Sequence, residues 1–226
     1  MPEDWLVLLL VAVGLVTLIN WYASWKERMK LYYLTKPLVL VGLIFYVIFR
    51  AQFTADRLPF LFGLVFSLLG DIFLILKGTR WFITGIAAFS ITQAFYIWGF
   101  SSSFPSSHVL IVAFFAYLAG VLIIHLTLDR FSQTSTLHKS FLPFLKIYGA
   151  LVLGMAINGL LCLARPDWSD GAAVMAGIGG VLFFTSDTMI GLDKLDRRLP
   201  KYKFWIIVTY HLAQFLITAA IFAKSV

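Results

Sequence analysis

Apolar residues run along this chain in stretches of helix length, and polar and charged residues gather in the short connections between them. A helix rises about 1.5 Å per residue and needs roughly 20 apolar residues to cross a bilayer's hydrocarbon core. On that measure the pattern predicts eight spanning helices, near 5–23, 31–49, 58–77, 81–100, 108–128, 142–163, 172–192 and 203–223. Pro59, Pro105, Pro143, Pro166 and Pro200 fall at or beside the span ends, where a residue without an N–H is tolerated. The expected fold is all-α, a single polytopic membrane domain over 1–226 with no room left for a soluble one. Glu3 and Asp4 stand where a secretory signal would be basic, so the first run reads as a retained span.

Composition places the chain in the same class: 61% of its 226 residues are hydrophobic, 17% aromatic and only 13% charged. The net charge of +7 could point to nucleic acid, but the basic residues lie in the short loops, and their distribution tracks topology instead. Eight spans put both termini on one side. Lys26, Arg28, Lys30, Lys77, Arg80, Arg130, Lys139, Lys194, Arg197, Arg198, Lys201 and Lys203 then share the other, against Arg50, Arg57, Arg165 and Lys224 on the terminal side. Basic loops stay in the cytoplasm. The expectation is a multi-pass protein of a bacterial inner membrane with its termini outside, bathed in membrane lipid and without a nucleic-acid partner. Cys162 is the one cysteine, so neither a disulfide framework nor a thiolate metal site is available.

Inside this apolar background, two acids stand out. Asp71 lies in the third span and Asp187 in the seventh; each has a Gly eight positions before it, a Val six before it and a small residue, Gly70 or Ser186, directly before it. Ionisable groups inside a membrane are expensive and mark function by default. Asp71 precedes Lys77 by six residues and Asp187 precedes Asp193 by six, which places both carboxyls about 9 Å inside the cytoplasmic end of their helices. Lys36, Tyr148, Tyr210 and Gln214 reach the same layer from spans running the other way, and Gln93 and Tyr96 lie somewhat deeper. Spans 1 and 5 offer little and read as scaffold. The matching acid segments leave two readings open: chance recurrence, or two parallel four-helix repeats about an axis along the membrane normal.

Two carboxyls sharing a low-dielectric layer cannot both ionise readily, so one is expected to keep its proton while the other is charged. That division supplies a general acid and a general base. The bland alternative is a buried network in which the acids, Lys36 and the tyrosines lock helices together. Lys36 itself has two readings, snorkelling to the interface or pairing with an acid or a lipid phosphate. Pro37 directly follows it and is expected to open the local backbone. Tyr148, Tyr210 and Gln214 are equally open as substrate contacts or interhelical glue, and each alone favours glue. His108, His125, His138 and His211 are scattered in depth; His125 and Asp129 have i, i+4 spacing, which reads as a boundary ion pair before it reads as a metal site. Ala172, Ala173, Ala176, Gly177 and Gly180 form small-residue ladders that read as close helix packing.

Lys36 with Pro37; Phe66, Ser67, Gly70 and Asp71; Gly85, Phe89 and Tyr96; Tyr148 and Met155; Phe183, Ser186 and Asp187; and Tyr210 with Gln214 form, in this order, a pattern that resembles the lysoplasmalogenases. These are integral membrane hydrolases, found in bacteria and in the animal transmembrane protein 86 group. The resemblance implies cleavage of the 1-alkenyl ether of a lysophospholipid, lysoplasmenylcholine or lysoplasmenylethanolamine. The products would be a fatty aldehyde and glycerophosphocholine or glycerophosphoethanolamine. It implies no metal and no organic cofactor, with Asp71 and Asp187 as the catalytic pair and Lys36, Tyr148, Ser186, Tyr210, Gln214, Gln93 and Tyr96 around the substrate. One position departs from it: Gln93 stands where the resemblance leads one to expect a histidine. The competing reading from another class is a proton-coupled carrier of a small or lipid-like substrate, since acids at matching depth in two repeats also relay protons.

Overall fold

The computed structural model describes residues 3–50, 54, 56–136 and 139–224; His138 lies outside them. Eight long helices account for nearly all of these residues: α1 (Glu3–Trp25), α2 (Met29–Arg50), α3 (Leu58–Ile75), α4 (Thr79–Phe100), α5 (Ser107–Ser132), α6 (Leu142–Leu161), α7 (Asp170–Lys194) and α8 (Tyr202–Ala223). All are long and apolar enough to cross a membrane, and no strand occurs among the described residues. The protein is an all-α, multi-pass membrane protein. The helices match the expected spans to within a few residues, with two informative exceptions. α3 stops at Ile75 because Leu76 is extended and Gly78 takes φ +113°, a conformation open to glycine. α5 runs on to Ser132, past Asp129 and Arg130.

The chain forms two compact units, Met1–Gly99 and Phe100–Val226, and the boundary falls after the fourth helix. In the first unit α1 packs on α2 and α2 on α3. Asn20 of α1 ties the first pair together: its amide donates 2.9 Å to the Tyr32 carbonyl and 2.8 Å to the Thr35 hydroxyl. Thr35 in turn donates 2.7 Å to the Leu31 carbonyl. These bonds lie one turn before Pro37, and α2 runs through the proline unbroken, so the expected opening of the backbone does not occur. Side-chain donors on the neighbouring carbonyls hold the turn that the proline would loosen.

α3 and α4 meet closely in the same unit. A Cβ on Gly63 would stand 2.1 Å from the ring of Tyr96, so only glycine lets that ring lie on the α3 backbone. Further along, Ser67 donates 3.2 Å to Thr92, and Thr92 donates 3.2 Å to the Gly63 carbonyl. Phe62 and Phe66 both stack on Phe95.

In the second unit α5 packs on α6, α6 on α7, and α7 on α8. The small-residue ladder of α7 does what it promised: a Cβ on Gly180 would stand 3.1 Å from the Ala156 backbone of α6, and one on Gly177 3.2 Å from Leu160. On its other side, a Cβ at Gly179 would meet Ile217 at 2.8 Å and the Ala213 carbonyl of α8 at 3.2 Å. α5 contributes only Ser132 to the buried residues described in it, while Ile111, Val112, Phe115, Leu122 and Ile123 are exposed, as on a lipid-facing helix. Asp129 at its end pairs with Lys146 of α6 at 2.6 Å. The expected boundary pair with His125 is therefore replaced by the ion pair with Lys146.

Candidate functional site

Each unit carries one of the two acids, on its third helix. Asp71 lies four residues before the end of α3 and is 1% exposed; Asp187 lies seven before the end of α7. Measured from its own helix end, Asp71 is about 6 Å deep and Asp187 about 10 Å. The equal depth expected for the two is thus altered by the early stop of α3.

Asp71 is held by an ion pair. The Lys36 ammonium, on α2, stands 2.9 Å from its Oδ1, and Lys36 is itself only 9% exposed. Of the two readings open for this lysine, the structure has the pair with an acid. Breaking such a pair by removing one partner leaves the other buried without its counter-charge.

Asp187 has a different partner. The Tyr148 hydroxyl, on α6, donates 2.6 Å to its Oδ2. A neutral phenol steadies a carboxyl group without adding charge. Lys36 thus gives Asp71 a cation at close range, and Tyr148 gives Asp187 a hydroxyl.

The pattern around them repeats between units. In each, the acid's partner comes from the second helix of the unit, Lys36 or Tyr148, and the glycine eight positions before the acid packs on the fourth helix. The residue directly before the acid also faces that fourth helix: Gly70 lies under the ring of Phe89, and Ser186 donates 3.1 Å to the Ile206 carbonyl. The seven-residue spacing, and the second and fourth helices that it faces, recur in both units.

The remaining expected site residues divide between the units. Gln93 and Tyr96 belong to α4 and are fully buried; Tyr96 packs on Phe60 with ring centroids 6.0 Å apart. Neither amide atom of Gln93 has a hydrogen-bond partner among the described residues. On α8, Tyr210 and Gln214 are both buried, and Tyr210 meets Phe183 edge-on at 5.5 Å. Ser186 spends its hydroxyl proton on the α8 backbone, which makes it glue between helices first and a ligand contact only through its lone pairs.

Two buried features were given no role by the sequence reading. His211, directly after Tyr210, is fully buried on α8 with its ring 5.7 Å from the tyrosine's. Its signal was available: a histidine in the interior of an apolar span. Thr92 links Ser67 to the α3 backbone beside Gln93, and no spacing rule would have singled it out.

Comparison with known proteins bears on what these residues are for. The chain is 31% identical over 157 residues to the human protein named lysoplasmalogenase TMEM86A, covering 69% of this chain and 61% of that protein. It is 32% identical over 160 residues to the cow protein of the same name, with the same shares covered. It is 30% identical over 158 residues to human lysoplasmalogenase TMEM86B, covering 69% of this chain and 60% of that one. The chain thus spans about three fifths of the length of these relatives. No solved structure matches it. The model of the YhhN family matches residues 31–221, a stretch that holds Lys36, both acids and every other residue expected at the site, and the chain belongs to the YhhN family.

Proposed function

We propose that the protein is a membrane hydrolase that cleaves the 1-alkenyl ether bond of lysoplasmalogens, with Asp71 and Asp187 as its acid and base. The observation that carries the reading is the pair of unlike settings, Lys36 against Asp71 and Tyr148 against Asp187, in a chain whose relatives are named lysoplasmalogenases. An enol ether is hydrolysed by protonating its β carbon, which makes an oxocarbenium ion that water attacks. The reaction needs one neutral acid and one charged base, in the manner of a glycosidase carboxylate pair.

The two settings support a division of roles. Asp71, with an ammonium at 2.9 Å, serves as the base; Asp187, which accepts from the Tyr148 hydroxyl at 2.6 Å, serves as the acid. Asp187 gives its proton to the β carbon. Water adds to the cationic carbon and leaves its proton on Asp71. The hemiacetal then returns its hydroxyl proton to Asp187 as the carbon–oxygen bond to glycerol breaks, and Asp71 protonates the departing glycerol oxygen. Both acids end as they began, and one water has been consumed.

A single-chain lipid keeps its ether just below the headgroup, near the hydrocarbon boundary, and a depth of about 6–10 Å below a helix end suits that bond. The headgroup is a phosphocholine or phosphoethanolamine, met by the basic loops, which face the cytoplasm of a bacterial inner membrane. The carrier reading loses support from α2, which stays helical through Pro37 where a broken span would have favoured transport. The test is aldehyde release by the purified protein in mixed micelles from a synthetic 1-alkenyl lysophospholipid, beside its 1-acyl analogue. Steady release from the alkenyl lipid alone is expected. Transport of intact lipid without aldehyde would replace the hydrolase by the carrier.

A further inference from the structure

Gln93 is a buried amide in the first unit with both of its polar atoms unspent among the described residues. Its side chain is fully buried, and neither its NH2 nor its carbonyl oxygen has a hydrogen-bond partner among the described residues. Thr92 beside it, by contrast, is fully engaged with Ser67 and the Gly63 carbonyl. An amide offers two donors and two acceptor sites. Burying all of them unused is costly enough that native structures seldom keep such a group without an ordered water or a ligand. We propose that Gln93 is a water-positioning residue whose amide holds the water molecule that the hydrolysis consumes.

This inference rests on the hydrolase reading and deepens it. Helix register gives the level. Thr92 meets Ser67, one turn before Asp71, so Gln93 lies about 6–8 Å from Asp71 along α3, on the side away from the near helix end. A lipid whose headgroup is at that end has its hydrocarbon chain on the far side. The carbon that water attacks is on the chain side of the ether oxygen, which is the side where Gln93 stands.

Chemistry gives the occupant. A water in apolar surroundings needs two to four polar partners. The amide NH2 donates to the water oxygen and the amide carbonyl accepts one of its protons. The second proton points to the Asp71 carboxylate, and one lone pair remains for attack. As the oxygen–carbon bond forms, that second proton passes to Asp71, and charge balances without any further reactant. A histidine at this position would offer one donor and one acceptor at separate ring positions; the glutamine carries donors and an acceptor together on one carbon, where both reach a single water.

Two measurements test it, one of them independent of turnover. In protein labelled with 15N at its glutamines, the Gln93 side-chain amide, identified by its loss in Gln93→Leu, should show cross-relaxation with a long-lived water despite its burial. No such cross-peak overturns the proposal. In turnover with methanol as co-solvent, wild type should release aldehyde, while Gln93→Leu should lose about 10²-fold in kcat with little change in KM. It should also divert part of the product to the mixed methyl acetal, because its cation is no longer met by a held water. An unchanged acetal fraction, or a fall in thermal stability on Gln93→Leu, would mark Gln93 as a structural residue and refute the proposal. A water cross-peak in a protein that releases no aldehyde would retain the water site and reject the hydrolase reading instead.

Discussion

At the scale of single residues, the pairing of Lys36 with Asp71 shapes everything else. Removing one member of a buried ion pair strands the other, at a cost of about 3–5 kcal/mol, whereas removing both can be nearly neutral. Lys36→Met should therefore lower thermal stability in detergent markedly, and Lys36→Met with Asp71→Leu should recover most of it while remaining inactive. A double variant as unstable as the single one would contradict the pair. Sequence alone left Lys36 balanced between snorkelling and pairing, because a lysine near a helix end is consistent with both. Its partner lies 35 positions away, and which side chains meet at that separation depends on the rotation of two uniformly apolar helices about their axes. Periodicity does not encode that rotation. The same blindness hid the acceptor of Ser186 and the exchange of His125 for Lys146 beside Asp129.

At the scale of elements, close approach and end-tying do different work. Gly63→Ala would drive a Cβ to 2.1 Å from the packed Tyr96 ring, so a loss of about 1–3 kcal/mol is expected, and unfolding of the purified variant measures it. The ends of the second unit are tied by polar knots. Asp167, before α7, accepts from the hydroxyls of Ser102 and Ser103 and pairs with Lys224 at 2.9 Å, while the Lys224 ammonium lies 4.9 Å above the Trp168 ring. Partial burial works against ionisation here, but the two hydroxyls and the lysine outweigh it and bring the Asp167 carboxyl down to about 2. Arg165 adds bonds to the Ser103 and Asn158 carbonyls, at 2.8 and 2.9 Å. A folded-state value below the unfolded one contributes stability above about pH 4, and that contribution disappears as pH falls toward 2. Wild type should accordingly melt higher than Asp167→Asn at neutral pH, with the gap closing between pH 4 and 2. A gap that is constant across that range would mean the charge is irrelevant to the knot. Helix positions and ends were largely legible, since span length and proline placement follow from the bilayer. These knots were not, since they join residues up to 122 positions apart.

At the scale of the whole molecule, the chain repeats a four-helix plan and varies its chemistry. The acid, the glycine eight before it and the small residue directly before it stand in corresponding places in both units, so the spacing seen along the sequence reflects packing. Asp71 pairs with an ammonium in one unit and Asp187 accepts from a phenol in the other, and the proposed acid and base roles rest on that difference. Duplication alone would yield two identical acids, neither suited to its complement. The sharpest trial of this account is aldehyde release from a 1-alkenyl lysophospholipid by purified Asp71→Asn and Asp187→Asn, beside a thermal melt of each. The account predicts that either variant loses about 10²–10⁴-fold in turnover while Asp187→Asn still melts close to wild type. Wild-type rates from both folded variants would contradict it.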